Sequence, residues 1–368
     1  MARVVVGMSG GVDSSVAAAL LQQQGHEVIG IMLRLWSEPA ADGDAEPVAE
    51  NKCCSLESLT DARRVAAQLD IPFYVVNVEQ PFQQTIVEHF YAEYVAGRTP
   101  NPCLRCNRHI RFTLLLERAL ALGAEYLSTG HYVRVDDDPA TGLRRLRRGV
   151  DDSKDQSYVL HVLSQWQLQH ALFPLGEYTK PQVRALAAEF GLPVAAKAES
   201  QELCFVAGND YRGFIRRYGA ATGRAAPAPG AIVDGAGTVL GRHEGLANYT
   251  IGQRKGLGVT AREPLHVLRL DAATNAVVVG PAAALEHDRV LVEGVTFQSG
   301  AWPAAPFDAL VKLRYKAPAV PATVTPLAEG RAEVRLAAPQ RAITPGQAAV
   351  FYEAAAGEQV LGGGLIAA

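Results

Sequence analysis

Apolar and polar residues along this chain of 368 residues repeat with two different periods, and the change falls just past the middle. In the first half, short β-branched runs alternate with stretches of helical period. Residues 4–7 read as a strand, 13–24 as a helix closed by Gly25, and 28–33 as a second strand. Residues 56–69 carry apolar side chains at Leu59, Ala62, Val65, Ala66 and Leu69, which is one face of a helix. A third strand follows at 73–78, helices at 82–95 and 111–122, and a buried strand at 126–129. This order predicts an α/β fold with a doubly wound parallel sheet, whose ligands lie at the C-terminal strand edges. The polar stretch 38–52 reads as a mobile loop.

Past residue 205 the helical period gives way. Residues 225–237 are rich in Ala, Pro and Gly and mark a boundary. Short strands separated by turn signals then follow at 231–233, 267–270, 276–279, 289–292, 309–315, 322–326, 333–336 and 348–352. Their spacing predicts small β-barrel or sandwich units. The division expected is 1–205 for the α/β domain, 206–280 for a small β-rich domain and 281–368 for a terminal β-barrel. No internal repeat of 20–50 residues is present.

Composition narrows the class. Apolar residues make up 48% and charged residues 20%, an ordinary globular mixture. No apolar run is long enough to span a bilayer, and the N-terminus enters a strand without a secretory leader, so a cytoplasmic protein is expected. A formal charge of −3 excludes a globally basic nucleic-acid binder, although local clusters can still meet phosphates. Five cysteines, Cys53, Cys54, Cys103, Cys106 and Cys204, are too few for a disulfide scaffold and point to redox or metal chemistry, if to any.

The densest chemical signal is Gly7-Met8-Ser9-Gly10-Gly11-Val12-Asp13-Ser14-Ser15. A strand feeding a Gly-rich turn that opens a helix is a phosphate-binding arrangement, because the backbone can approach an anion and the helix end offers N–H groups. It is not a P-loop, which needs a Lys after its last Gly, nor the G-x-G-x-x-G of a dinucleotide fold. The plainer alternative is a turn whose Asp13 or Ser14 caps the helix, and Asp13 is the expected cap.

Cys103 and Cys106 form a C-x-x-C pair behind the rigid Gly97-Arg98-Thr99-Pro100-Asn101-Pro102. Three chemistries compete with plain burial of small apolar thiols. A half zinc site needs a matching pair, and Cys53-Cys54 lack the spacing. A dithiol would join Cys103 to Cys106. A catalytic Cys106, its thiolate favoured by Arg105 and Arg108, would take a distant partner in Cys204.

The motifs then occur in a telling order. After the loop come Gly97 to Asn107, Thr129-Gly130-His131-Tyr132, Lys154-Asp155-Gln156-Ser157-Tyr158, Ser200 to Phe205, Gly252 to Gly258, Thr344 to Ala348, and Gly362-Gly363-Gly364. Together they closely resemble the bacterial tRNA-specific 2-thiouridylases, across nearly the whole chain. The loop alone resembles the pyrophosphate loop (PP-loop) of ATP pyrophosphatases, which have a HUP-like fold.

The resemblance implies sulfur transfer to C2 of the wobble uridine in the tRNAs for Lys, Glu and Gln. ATP, with Mg2+ as a companion ion, would adenylate the C2 oxygen. A persulfide on Cys204 would bring the sulfur, supplied by a cysteine desulfurase or a relay protein. Cys106 would attack either the activated base or the persulfide, with a transient Cys106–Cys204 disulfide. Matched residue by residue, ATP would be held by Gly7 to Ser15, Leu33 and Gly130, with Leu33 standing where relatives often carry Met. Asn101, Pro102 and Cys103 would line the pocket of the flipped base. Lys154, Asp155, Gln156, Arg314 and Tyr315 would contact tRNA. No protein metal ligands are assigned.

Cys103 stands where some relatives carry an Asp assigned acid–base work, which leaves that role without an owner. His131 has two readings, a packed histidine or a neighbour of the phosphates. Arg144, Arg145, Arg147 and Arg148, the group Arg212, Arg216 and Arg217, and Arg254-Lys255 are further candidates for phosphate contact, against a background of solvated charge. Two rival functions remain: a small-molecule ligase using the same loop, which leaves Cys106 and Cys204 unexplained, and a non-catalytic tRNA-binding sulfur carrier, against which the intact loop argues.

Overall fold

The computed structural model describes residues 1–38, 55–199, 203–224 and 227–367. Cys53, Cys54, most of the 38–52 stretch and Ser200 to Glu202 lie outside the described residues. The α/β half contains strands β1 (Arg3–Gly7), β2 (Glu27–Arg34), β3 (Phe73–Asn77) and β4 (Tyr126–Ser128), a hairpin of β5 (Val133–Asp137) and β6 (Arg144–Arg148), and a two-residue β7 (Ala171–Leu172). The main sheet is parallel throughout, in the order β3-β2-β1-β4-β7. The predicted doubly wound sheet is therefore present, with β7 as a fifth strand too short to register in the sequence pattern.

Both sheet faces are covered, as a parallel sheet requires. On one, Val4, Val6 and Met32 pack against helix α1 (Val12–Gln23), helix α2 (Leu56–Gln68) and the helix Lys180–Glu189. Helix α1 is buried through Val16, Ala17, Ala18 and Leu20, and its small side chains let it lie close to the strands. On the other face, Val5 and Ile31 meet Phe112, Leu115 and Leu116 of a long helix over 102–121. Each large apolar side chain buried here contributes about 1.5–3 kcal/mol.

That helix begins nine residues before the expected start at 111. Asn101 is its N-cap, with Oδ1 accepting from the Cys103 N–H at 3.1 Å, and Pro102 sits at the first helical position, where a missing N–H costs nothing. Cys106–Leu115 is wound as a π-helix. Polar residues crowd its first turns, Arg105, Asn107, Arg108 and His109, so those turns escaped the pattern.

The arginines Arg144 to Arg148, candidates for phosphate contact, lie in the β5–β6 hairpin with carboxylate partners. Arg144 pairs with Asp137 at 3.0 Å, Arg145 with Asp136 at 2.8 Å and Arg148 with Asp152 at 2.9 Å, while Arg147 bonds Asp136 and Glu358. These guanidinium groups lie along a ribbon rather than forming an open basic patch. Arg217 is likewise paired, with Glu38 at 2.6 Å.

The second half is all β in its sheets. Strands β8 (Gly230–Val233), β9 (Val239–His243), β10 (His266–Asp271) and β11 (Ala276–Gly280) form a four-stranded sheet over a small core of Ile232, Val267, Val277 and Val279. Strands β12 (Glu286–Phe297), β13 (Phe307–Lys312), β14 (Val320–Pro326), β15 (Ala332–Arg341), β16 (Ala348–Glu353) and β17 (Val360–Ile366) close into a six-stranded antiparallel barrel. Strand β13 stops at Lys312, short of the expected 315. The Arg314 guanidinium turns away to bond the carbonyls of Arg341, at 3.0 Å, and Ala342.

The barrel is fused to the α/β half rather than tethered to it. Ala348, Val350, Tyr352 and Val360 share one hydrophobic cluster with Phe112, Leu116 and Tyr158. The helix Tyr211–Ala221, past the expected boundary at 205, sends Phe214, Ile215 and Tyr218 into a cluster with Phe82, Phe90 and Phe205. Among the described residues, no helix is long and apolar enough to cross a membrane.

Candidate active site

The Gly-rich loop connects the end of β1 to the start of α1. Gly10 has φ +68°, and a Cβ there would lie 2.1 Å from the Ser58 carbonyl oxygen, so only glycine fits. The helix cap is Gly11, with no side-chain capping bond, which corrects the expectation that Asp13 caps α1. The hydroxyls brace the loop instead: Ser14 Oγ accepts from the Ser9 N–H at 3.1 Å, and Ser15 Oγ donates to the Gly11 carbonyl at 2.8 Å. A helix start left without a side-chain acceptor is suited to an anion. Gly130 closes the other side, since a Cβ there would lie 2.7 Å from Ser14 N.

Asp13 faces a lysine that sequence reasoning missed. Lys180, only 8% exposed, places Nζ 2.6 Å from Asp13 Oδ1 and 2.9 Å from Glu199 Oε1. The Tyr132 hydroxyl also donates to Asp13 Oδ1, at 2.7 Å. Burial and the Asp13 charge together push the Tyr132 hydroxyl upward, so it stays protonated. Glu199 in turn binds Lys154 Nζ at 2.5 Å. Burial alone would raise the Glu199 carboxyl, but hydrogen bonds and charge from Lys154 and Lys180 hold it down at about 2. An alternating chain of charges thus joins the loop (Asp13), the segment matched to tRNA contact (Lys154) and the stretch leading to Cys204. Lys180 carried only a helix-start signal in the sequence, the Thr179–Gln182 capping box.

Two thiols from distant parts of the chain border one apolar cluster. Cys106, on the helix over 102–121, and Cys204 are both half-buried and pack on the same apolar cluster as Phe82, Phe90 and Phe205. Leu33, at the end of β2, borders that cluster and the sheet core alike. The Arg105 guanidinium is half-buried and donates to the Thr85 carbonyl at 3.2 Å. Burial, reinforced by Arg105, lowers both His89 and His109.

Of the residues expected to line a base pocket, Asn101 spends its carboxamide oxygen on the helix cap, Pro102 is buried and Cys103 is exposed. Tyr315 reaches this place from the barrel. It packs on Tyr158 at 5.9 Å between ring centres, and burial, then Asp155 and Cys103, raise its hydroxyl. Asn107 is buried and its amide donates to the Val159 carbonyl at 3.2 Å, tying the thiol-bearing helix to the 157–160 turn.

The residues matched to tRNA contact differ in placement. Asp155 is 3% exposed and its oxygens accept from Arg148, Ser157 and the Gly149 N–H, so its carboxylate is spent inside the turn. Gln156 accepts from the Tyr132 N–H at 3.0 Å. His131 is resolved as a packed histidine: Nδ1 lies 2.7 Å from Thr129 Oγ1, Phe112 and Phe173 flank it, and burial followed by Arg111 pushes it down to about 3. Arg254 and Lys255 are exposed in their turn.

The fold and the site define an α/β domain, with a glycine-rich loop at a helix start and two thiols packed on one apolar cluster, extended by two β domains. A family profile described as the tRNA methyl transferase HUP domain matches residues 2–208, a tRNA methyl transferase PRC-barrel domain matches 221–281, and an aminomethyltransferase β-barrel domain matches 287–366. The tRNA-specific 2-thiouridylase MnmA of Roseiflexus castenholzii is 52% identical, covering 100% of both chains. That of Geotalea uraniireducens is 51% identical over 99% of this chain and 94% of its own. The chain belongs to the tRNA-specific 2-thiouridylase family. A U34-tRNA thiolase structure from Methanococcus maripaludis is 19% identical over 60% of this chain and 66% of its own, with a TM-score of 0.34, and carries no weight beside these.

Proposed function

We propose that the protein is an ATP-dependent tRNA-uridine 2-sulfurtransferase acting on the wobble uridine of the tRNAs for Lys, Glu and Gln. The observation that carries the proposal is the meeting of Cys106 and Cys204 on one apolar cluster bordered by Leu33, within the same domain as a loop shaped for phosphates. A small-molecule ligase has no use for two such thiols. The activity named for the relatives accounts for them.

The N–H groups at the start of α1 would hold the phosphates of ATP, and Gly10 and Gly130 leave room for them. Mg2+ would neutralise the departing pyrophosphate, with Asp13 as the nearest loop carboxylate. The uridine C2 oxygen attacks the α-phosphorus of ATP and pyrophosphate leaves. A persulfide loaded on Cys204 by a desulfurase or relay protein then supplies sulfur. In one order, the Cys106 thiolate attacks Sγ of Cys204, and the terminal sulfur leaves as sulfide with the bonding electron pair. Sulfide adds to C2 and AMP departs. In the other order, Cys106 first displaces AMP at C2, the terminal sulfur of the Cys204 persulfide then displaces the Cys106 thiolate from C2, and that thiolate attacks Sγ of Cys204 so that the 2-thio group leaves with the bonding electron pair. Either way the two thiols are oxidised to a disulfide, and an external thiol must reduce it before the next turnover.

Mass spectrometry of wobble nucleosides after incubation with tRNA, Mg-ATP and a persulfide donor tests this. Wild type is expected to form 2-thiouridine, and Cys106→Ser and Cys204→Ser none above background, while both still bind ATP. Wild type that yields no 2-thiouridine beside an active control overturns the function, and full turnover by either variant removes that thiol from the mechanism.

A further inference from the structure

The barrel grips the pocket segment through its backbone. The Thr99 N–H donates to the Pro345 carbonyl at 2.9 Å, and Gln347 Nε2 donates to the Thr99 carbonyl at 2.7 Å. Between these bonds sits Gly346, with φ +89° and room for no side chain: a Cβ would stand 3.0–3.1 Å from three Thr99 backbone atoms. The turn is itself fixed, since Gly346 N–H donates to the Ile366 carbonyl at 3.0 Å and Ile366 N–H to the Gln347 carbonyl at 2.8 Å. Thr99 lies two residues before Asn101, the cap of the helix that carries Cys103 and Cys106. The next residue of the turn, Ala348, exchanges two bonds with the Tyr158 hydroxyl, at 3.0 and 3.1 Å. One turn of the barrel therefore braces both the pocket segment and the 154–158 segment.

We infer that Gln347 is a positioning residue: through the Thr99 carbonyl it sets where the helix bearing Cys103 and Cys106 begins, so the barrel forms part of the catalytic unit. A surface-exposed RNA-docking module would need no such grip on a backbone carbonyl. Gln347 is near enough to Met in shape that Gln347→Met removes the donor and little else, and misplacement of reacting groups by a fraction of an ångström is costly to rate. The inference rests on the proposed thiolation for its kinetic arm but not for its chemical one.

The test compares wild type, Gln347→Met and Gly346→Ala in two assays. In steady-state thiolation, Gln347→Met is expected to lower kcat by about tenfold or more while KM for tRNA stays within about twofold. In alkylation by iodoacetamide without tRNA, mapped by mass spectrometry, the rate at Cys103 or Cys106 is expected to change by about threefold or more. Gly346→Ala should move both readouts in the same way. A raised KM with unchanged kcat would make Gln347 an RNA contact and overturn the inference, as would unchanged alkylation in both variants. If wild type forms no 2-thiouridine, the function falls, and alkylation alone decides the positioning role.

Discussion

Lys180 is the residue on which the loop's electrostatics turn. The loop itself carries no lysine, and the helix Lys180–Glu189 supplies one from elsewhere in the chain. Replacing it leaves Asp13 and Glu199 facing each other without their shared cation. Lys180→Met is expected to slow tRNA-dependent AMP release by about 100-fold, the usual consequence of losing one charge-stabilising donor. Urea denaturation should show a loss of about 1–3 kcal/mol. AMP release within about twofold of wild type would separate Lys180 from the nucleotide. Glu199 sets the pH window of this link. Its carboxyl is held near 2 against an ordinary 4.5, so its contribution is complete above about pH 4.5 and is lost as pH falls through 2. The chain of charges is thus intact throughout the neutral range.

At the level of elements, the segment 157–163 and the 129–132 turn each bury a neutral histidine. Burial pushes His161 down to about 4, against its bond to the Tyr158 carbonyl at 2.7 Å, and His131 to about 3. Unfolding returns both to about 6.5. Their contribution to stability is therefore complete above that pH and is lost progressively as pH falls toward the folded values, by at most about 1.4 kcal/mol per pH unit for each. Urea midpoints of wild type should fall between pH 6.5 and 5, and His161→Gln should flatten that slope by about one proton. An unchanged slope would mean that His161 is not buried neutral. The strand and helix order was legible because β-branched runs survive in β1 and β2 and a 3.6 period in α2, while α1 is an apolar run closed by Gly25. The hairpin was not, because Arg-Arg-Leu-Arg-Arg in β6 looks like a charge cluster until the register sets Asp136 and Asp137 of β5 opposite Arg145 and Arg144. The loop was legible as a glycine-rich turn between a strand and a helix, whereas Lys180, Tyr132 and Gln347 join it or the Thr99 segment only through tertiary contact, which no local pattern carries.

At the scale of the molecule, the first domain and the barrel share a core. Glycine enforces this contact at Gly363, where a Cβ would lie 2.7 Å from the Ala349 carbonyl oxygen and 2.8 Å from His161 Cδ2. Calorimetry is expected to find the α/β domain and the barrel unfolding in one transition, and Gly363→Ala lowering that transition as a whole. Two separable transitions, with only the barrel's moved by Gly363→Ala, would contradict a common core. The C-terminal Gly-Gly-Gly and Thr-Pro-Gly-Gln motifs, read in the sequence only as marks of resemblance, are the places where two backbones must touch.

The π-wound stretch Cys106–Leu115 has one further consequence, for how such a sequence can change over time. A π-helix is an α-helix holding surplus chain, so losing a single codon here would let the helix relax to the commoner winding without unfolding. In a regular α-helix one deletion turns the flanking residues by about 100° about the axis. Here the wider winding already holds surplus chain, so the loss would be taken up inside the stretch, and the turns before Cys106 and after Leu115 would keep the faces they present. These ten residues are therefore the part of the helix best able to survive a change of length.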